Sequence, residues 1–276
     1  MPIENLNSNL PLSRRTATGS DSNETSHPLP VPSAPNSHAQ MGKTNQTSMK
    51  YLMTKEYHQL WHKWANEAGK EGEKRQEALL KMKNCLEKND AVLWLSDLKL
   101  SSLPNLLPPS IKTLNLFYNK LTSLPDNLPV SLTILDVSDN QLIALPDNLP
   151  VSLTTLWVFN NQLTSLPDNL PASLTTLDVS DNQLTSLPDN LPASLTTLDV
   201  SDNELTVLPD NLPVSLIILW VFDNQLTSLP VSITRLPQSG HVFLGGNPLS
   251  ERTLQALWNI NTDLTYQGPQ IFARRK

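Results

Sequence analysis

Leucine and asparagine recur along most of this chain at a fixed spacing. The asparagines lie 21 residues apart, at Asn119, Asn140, Asn161, Asn182, Asn203 and Asn224. Each belongs to a frame that reads leucine, any residue, leucine or valine, two further residues, asparagine, any residue, leucine. Because side chains alternate between the two sides of a strand, the frame predicts a short strand with positions one and three inward and positions two and four outward.

The frame starts eight times, at Leu93, Leu114, Leu135, Leu156, Leu177, Leu198, Leu219 and Val242. Such a unit is a leucine-rich repeat, which buries its leucines only against neighbouring units. We therefore predict a leucine-rich-repeat solenoid with a curved parallel β-sheet, made of eight units in residues 91–249. Each asparagine is expected to bond to the backbone of its own and adjoining units, since a buried amide needs partners. Leu98 replaces the asparagine in the first unit, which predicts contact with a capping element.

Between strands, five units read Leu-Pro-Asp-Asn-Leu-Pro-Val/Ala-Ser, as in residues 166–173. The two prolines remove backbone donors and fix φ, which excludes a helix on the convex side. We expect an extended, polyproline-like return between the strands.

Segments of different composition flank the repeats. Residues 1–48 are rich in serine, proline, asparagine and threonine, which predicts a disordered tail. Residues 49–90 contain two apolar stripes at helical spacing and predict a helical hairpin that caps the first strand. The stripes are Tyr57, Leu60, Trp61, Trp64 and Ala65, then Ala78, Leu79, Met82, Cys85 and Leu86. Residues 250–276 predict a short closing helix with Ser250 as N-cap and an apolar face of Leu254, Leu257 and Trp258.

Charge is unevenly distributed along the chain. Residues 91–248 carry fourteen carboxylates and four cations, within a chain of net charge −6. Since phosphate binding needs a basic face, nucleic acid is excluded as a ligand of the repeats. No apolar run approaches the roughly 18 residues that cross a bilayer, and the N-terminus does not show a Sec signal pattern. The single cysteine, Cys85, rules out an intramolecular disulfide.

The outward side chains of the frames form the predicted concave surface, which we call the outer sheet face. Stability alone does not favour like charges side by side, as expected for Asp178 beside Asp199, and exposed rings usually mark a contact surface. The pattern predicts binding of a basic, partly apolar protein surface. The predicted binding residues are Asn115, Phe117, Tyr118, Asp136, Asp139, Trp157, Phe159, Asp178, Asp181, Asp199, Asp202, Trp220, Phe222 and Asp223. The alternative is that recent duplication copied these residues regardless of use.

Other candidate chemistry is weaker. Cys85 lies on an apolar helical stripe, which favours packing over nucleophilic catalysis. His58 and His62 are four residues apart, but Gln59 stands where a metalloprotease needs its base, so exposed helix histidines are favoured. The aspartate rows leave a calcium site as an alternative reading. The sequence predicts no cofactor, no metal and no enzymatic activity.

The repeat Leu-Pro-Asp-Asn-Leu-Pro-x-Ser-Leu, the cap from Trp61 to Leu86 and the ending Gly246-Asn247-Pro248-Leu249-Ser250 resemble the IpaH/SspH family of bacterial type III effectors, including repeat-only relatives of the YopM type. The resemblance implies a type III secretion tail, action in the host cytoplasm with the nucleus left open, and repeats that select a host protein. It also implies, in most members, a C-terminal E3 ubiquitin ligase domain with a Cys-x-Asp motif. Cys85 is followed by Leu86 and Glu87, and the chain ends at Lys276, about where that domain would begin. We expect a recognition module without the ligase.

Overall fold

Three-residue strands, one for each repeat, form the sheet of this protein. The computed structural model describes residues 37–273, with side chains from residue 52 onward. All neighbouring strands pair in parallel and in chain order. The strands are β1 (Val92–Trp94), β2 (Thr113–Asn115), β3 (Ile134–Asp136), β4 (Thr155–Trp157), β5 (Thr176–Asp178), β6 (Thr197–Asp199), β7 (Ile218–Trp220), β8 (His241–Phe243) and β9 (Gln270–Phe272). This order confirms the predicted solenoid, and β9 adds a strand that the frame did not predict.

The register pairs each frame position with the same position of the next frame, so the inward leucines stack into one core. Leu114 lies between Leu93 and Leu135, and both it and Leu116 are fully buried. The predicted asparagine bonding is also present. In one example, the Asn140 amide donates to the carbonyls of Leu116 and Val137 at 3.0 Å and accepts the Leu121 N–H at 2.9 Å.

The return between strands contains a tight turn in place of a helix. From β1 to β7, the described residues form no helix, and the Leu132 N–H closes a turn by donating to the Pro129 carbonyl at 3.0 Å. A 3-10 turn at Val231–Arg235 appears in the seventh repeat. It forms there because the second proline of the return is displaced to Pro237, which leaves the intervening backbone free to coil.

The N-terminal cap consists of α1 (Ser37–Asn66) and α2 (Arg75–Lys88). Trp61 is fully buried, and its indole N–H donates to the Leu106 carbonyl at 2.7 Å. The Leu98 carbonyl accepts the Lys74 N–H at 2.9 Å, so the first repeat does meet the cap at the position without asparagine. Leu60 is 39% exposed and lies off the buried stripe to which the sequence assigned it.

Part of the predicted tail is helical. Because α1 begins at Ser37, residues 37–48 differ from the predicted disorder, since a helix that is already formed extends at little cost per residue. The preceding part of the tail, residues 1–36, lies outside the described residues.

The C-terminal cap combines a helix with β9. The helix is α3 (Glu251–Thr262), and the Thr253 N–H donates to the Ser250 side chain at 3.2 Å, as an N-cap requires. Leu257 is buried, but Trp258 is 62% exposed, which corrects its predicted packing. The reason is that β9 covers β8, with Ile271 in register with Val242, so α3 contributes little more than Leu257 to the core.

Candidate interaction surface on the outer sheet face

Position five of every frame has a left-handed backbone. Its φ lies between 46° and 56° in the first seven units and is 80° at Gly246 in the eighth. The non-glycine residues there are Asp97, Tyr118, Asp139, Asn160, Asp181, Asp202 and Asp223. Aspartate and asparagine tolerate this conformation better than other side chains. The row of carboxylates therefore has a local cause that the sequence argument missed, and Tyr118 is the residue this cause does not explain.

Position two also has a local role when it is polar. The side-chain oxygens of Asp136, Asp178 and Asp199 accept the N–H of the serine two residues later, at 2.9 to 3.1 Å. Asn115 does the same for the Phe117 N–H at 3.1 Å. An aspartate at this position therefore satisfies backbone in its own strand, which offsets part of the repulsion between like charges.

Two of these carboxyls are partly desolvated. Burial raises the pKa of Asp199, and the nearby charges of Asp178 and Asp181 raise it further, against the hydrogen bonds from Ser201. Burial likewise raises the pKa of Asp136, against its hydrogen bonds from Ser138 and Asn115. The ionised forms of these two carboxyls are thus destabilised on this face, and a cation bound beside them would stabilise them.

A cluster of rings lies on β2 to β4. We call Phe117, Tyr118, Trp157 and Phe159 the first ring cluster. The Phe117 and Phe159 ring centroids are 6.4 Å apart although their strands are not adjacent. They meet because the same position on the intervening strand is Ser138, a small residue that is fully buried. Trp157 and Phe117 each keep 37% of their surface exposed, and Tyr118 keeps 61%.

A larger cluster lies on β7 to β9. We call Trp220, Phe222, His241, Phe243 and Phe272 the second ring cluster. The Phe243 ring is stacked on Phe272 at 5.0 Å and on Trp220 at 6.3 Å, and it lies 5.8 Å from Phe222. His241 stacks against Phe243 at 6.4 Å and Phe272 at 6.2 Å. Phe222 reaches Phe243 across Gly245, where an added Cβ would be 3.2 Å from its ring.

Sequence reasoning missed three members of the second ring cluster. Phe243 occupies position two of the eighth frame, and His241 occupies the outward position just before that frame, so both could have been found by extending the frame. Phe272 lies on β9, which contains no leucine frame and therefore could not be predicted from the repeat pattern.

Between the two ring clusters lies an acidic window on β5 and β6, which we define by Asp178, Asp181, Asp199 and Asp202. Asp178 is in register with Asp199, as predicted. Trp157 adjoins the window through Asp178, and Trp220 adjoins it through Asp199. The outer sheet face is therefore ordered along the chain as rings, carboxylates and rings.

The other candidate groups do not form a reactive centre. Burial, with a smaller contribution from Asp90, raises the pKa of Cys85 to about 11, so its thiol is protonated at neutral pH. His58 is half-buried, which corrects the expectation of exposure, and burial followed by the charge of Lys83 lowers its pKa.

Among the described residues, no three His, Cys, Asp or Glu side chains converge on a metal position. The helices in residues 37–273 include none with the length and apolar character of a membrane span.

Comparisons with known proteins agree with the repeat architecture. A family model described as Leucine Rich Repeat matches residues 173–193 and 194–214. Over 64 residues the chain is 45% identical to the E3 ubiquitin-protein ligase ipaH9.8 of Shigella flexneri, covering 23% of this chain and 12% of that protein. The chain thus spans about one eighth of the length of the curated relatives it matches.

Solved structures show the likeness over a larger part of the chain. A Shigella effector LRR domain superposes with a TM-score of 0.71 at 41% identity, covering 79% of this chain and 96% of that one. YopM, a leucine-rich effector protein from Yersinia pestis, superposes with a TM-score of 0.65 at 38% identity, covering 71% of this chain and 54% of that one.

Proposed function

We propose that this chain, which belongs to the IpaH-type family of bacterial leucine-rich-repeat effectors, is a non-catalytic scaffold that recognises a host protein. The observation that carries the proposal is the pair of ring clusters on the outer sheet face. Carboxylates at positions two and five have local structural roles, but a tryptophan at position two accepts no hydrogen bond from the backbone. The rings expose apolar area where the frames of β5 and β6 have aspartate and serine, and such area favours a contact surface.

The acidic window suits the same use. Carboxylates between apolar anchors steer a basic partner towards the face and fix its register, and they contribute more to the association rate than to raw affinity. We further propose that the predicted tail, residues 1–48, serves type III secretion. The proposed place of action is the cytoplasm of the host cell, with the host nucleus as the alternative.

The repeats themselves provide the test variant. Trp157→Asp with Phe159→Ser gives β4 the outward residues of β5, and Trp220→Asp with Phe222→Ser gives β7 those of β6. Because the frame accommodates these residues in adjacent units, we expect the fold to be retained. The immobilised variant with all four substitutions should lose the host protein that the unaltered chain captures from host-cell lysate, as identified by mass spectrometry.

A matched control changes the opposite side of a repeat. Val151 is 82% exposed between strands, and Val151→Ala gives it the residue that stands at position 172 of the next unit. This variant should capture the same host protein as the unaltered chain. Equal capture by the four-substitution variant would refute recognition through the ring clusters.

The relatives favour a second candidate function, the substrate-recognition half of an E3 ubiquitin ligase, because the matched Shigella proteins are ligases of this kind. The sole cysteine, Cys85, is buried and holds its proton, so it does not suit a ligase nucleophile. A discharge assay with a ubiquitin-loaded conjugating enzyme tests whether this chain has ligase activity of its own. The non-catalytic scaffold leaves the loaded enzyme intact, whereas accelerated discharge by the purified chain would contradict it.

A further inference from the structure

The outer sheet face has the dimensions of a single helix. The outward side chains of each unit stand just before the frame, at position two and at position four, and two steps of about 6.7 Å make this strip about 13 Å wide. An α-helix with its side chains is about 10–12 Å in diameter. We infer, on the basis of the proposed function, that the partner presents one α-helix that lies across the strands, and that the contacting side of this helix carries two cations between two apolar anchors.

The spacing of the strands favours a helix over an extended segment. Parallel strands lie about 4.8 Å apart, so β4, β5, β6 and β7 lie at about 0, 5, 10 and 14 Å along the face. Residues i, i+4, i+7 and i+11 share one side of a helix and rise by about 0, 6, 10.5 and 16.5 Å. Same-side residues of an extended chain are about 6.7 Å apart, so between β4 and β7 such a chain places one side chain over the two aspartates, whereas the helix places two.

The chemistry of the four strands then assigns the side chains of the partner. Trp157 at the end of β4 and Phe159, two residues later, accept an apolar residue at i. Asp178 and Asp199 on β5 and β6 accept lysine or arginine at i+4 and i+7. Trp220 at the end of β7 and Phe222, two residues later, accept an apolar residue at i+11. Phe243 on the next strand stacks against both and extends that contact. The charge of the window and the order of the zones together identify the occupant as a helix whose contacting side has two basic residues between two apolar ones.

A pair of synthetic peptides tests this order. The first, about 18 residues long to favour helix formation, has leucine at i and i+11, lysine at i+4 and i+7, and alanine and glutamine elsewhere. The second has the same composition with leucine and lysine exchanged between those positions. Fluorescence anisotropy should show that the full chain binds the first peptide about tenfold more tightly, as expected for two partly exposed ion pairs.

Conservative variants assign the preference to the acidic window. Asp178→Asn with Asp199→Asn removes the two charges and keeps the side-chain oxygens that accept the Ser180 and Ser201 N–H groups. This variant should lose most of the preference for the first peptide, and the part that remains is due to the leucines on the two ring clusters. Asp136→Asn is the matched control, because Asp136 accepts the same kind of bond on β3, outside the window, and the tenfold preference should persist.

Three outcomes would overturn the inference: equal binding of both peptides by the unaltered chain, tighter binding of a proline-interrupted peptide with the same side chains, or self-association of the chain that displaces them. Each leaves the proposed function to be judged separately. Capture of a host protein that is lost in the four-substitution variant would retain recognition through the outer sheet face while removing the helix as its target.

Discussion

At the scale of the residue, the backbone torsion at position five determines much of what the outer sheet face displays. The left-handed conformation selects aspartate or asparagine in six of the first seven units and glycine in the eighth. Most of the carboxylate row therefore needs no partner to explain it. Tyr118 is the exception, since a bulky side chain in this conformation is costly, and its place beside Phe117 supports a role in the first ring cluster.

A pair of substitutions at Asp181 isolates this torsion, because glycine and alanine both remove the carboxylate. We expect the free energy of unfolding of Asp181→Ala to be about 1 kcal/mol lower than that of Asp181→Gly, as measured by urea denaturation. The reason is that alanine is strained in the left-handed conformation and glycine is not. The same pair at Asp189, an exposed residue without positive φ, should not favour glycine. Equal stability of the Asp181 pair would show that the torsion does not select the residue.

The partly buried carboxyl of Asp199 makes stability depend on pH. Because its pKa is raised in the folded protein, the folded state binds the proton more tightly, so stability falls as pH rises from the ordinary range of the carboxyl through the raised pKa. Asp199→Asn removes the charge and keeps the acceptor for Ser201. Its Tm should exceed that of the unaltered protein at pH 7, and the gap should close below the ordinary carboxyl pKa. A gap that is equal at both pH values would contradict the argument, and Asp189→Asn serves as the exposed control.

At the scale of the element, the two caps close the solenoid by different means. The N-terminal cap packs two helices against the first repeat, with Trp61, Ala78 and Met82 fully buried. The C-terminal cap adds β9 to the sheet, and α3 contributes Leu257 alone to the buried residues. An apolar stripe read from sequence predicts the first arrangement better than the second, because in α3 another strand takes the place that the helical face was expected to fill.

The same substitution in each cap helix measures this difference. We expect Trp61→Ala in α1 to lower the free energy of unfolding by about 3 to 5 kcal/mol, since it leaves a cavity and an unpaired Leu106 carbonyl. Trp258→Ala in α3 should change it by less than about 0.5 kcal/mol, because that ring is mostly exposed. Urea denaturation followed by circular dichroism provides both values, and similar losses would mean that α3 packs as tightly as α1.

At the scale of the whole molecule, the periodic part of the chain could be read from sequence and the aperiodic part could not. The asparagine spacing predicted the strands, their register and the buried asparagine hydrogen bonds. This was possible because each repeat contacts only its neighbours, so the structure of one unit predicts that of the next. Phe272 could not be placed, because no frame surrounds β9. The left-handed torsion could have been predicted from Gly246, which stands where six of the other frames have aspartate or asparagine. An aspartate alone does not distinguish a left-handed backbone from a binding residue.

Because residues 173–193 and 194–214 are nearly identical, the distance between the two ring clusters can change in whole repeats. Loss or gain of one such copy by unequal recombination would move the two groups of rings together or apart by one strand spacing, about 4.8 Å, without disturbing the leucine stack. Evolution could therefore retune which partner fits by changing copy number, one step at a time, while every contact inside each unit stays the same.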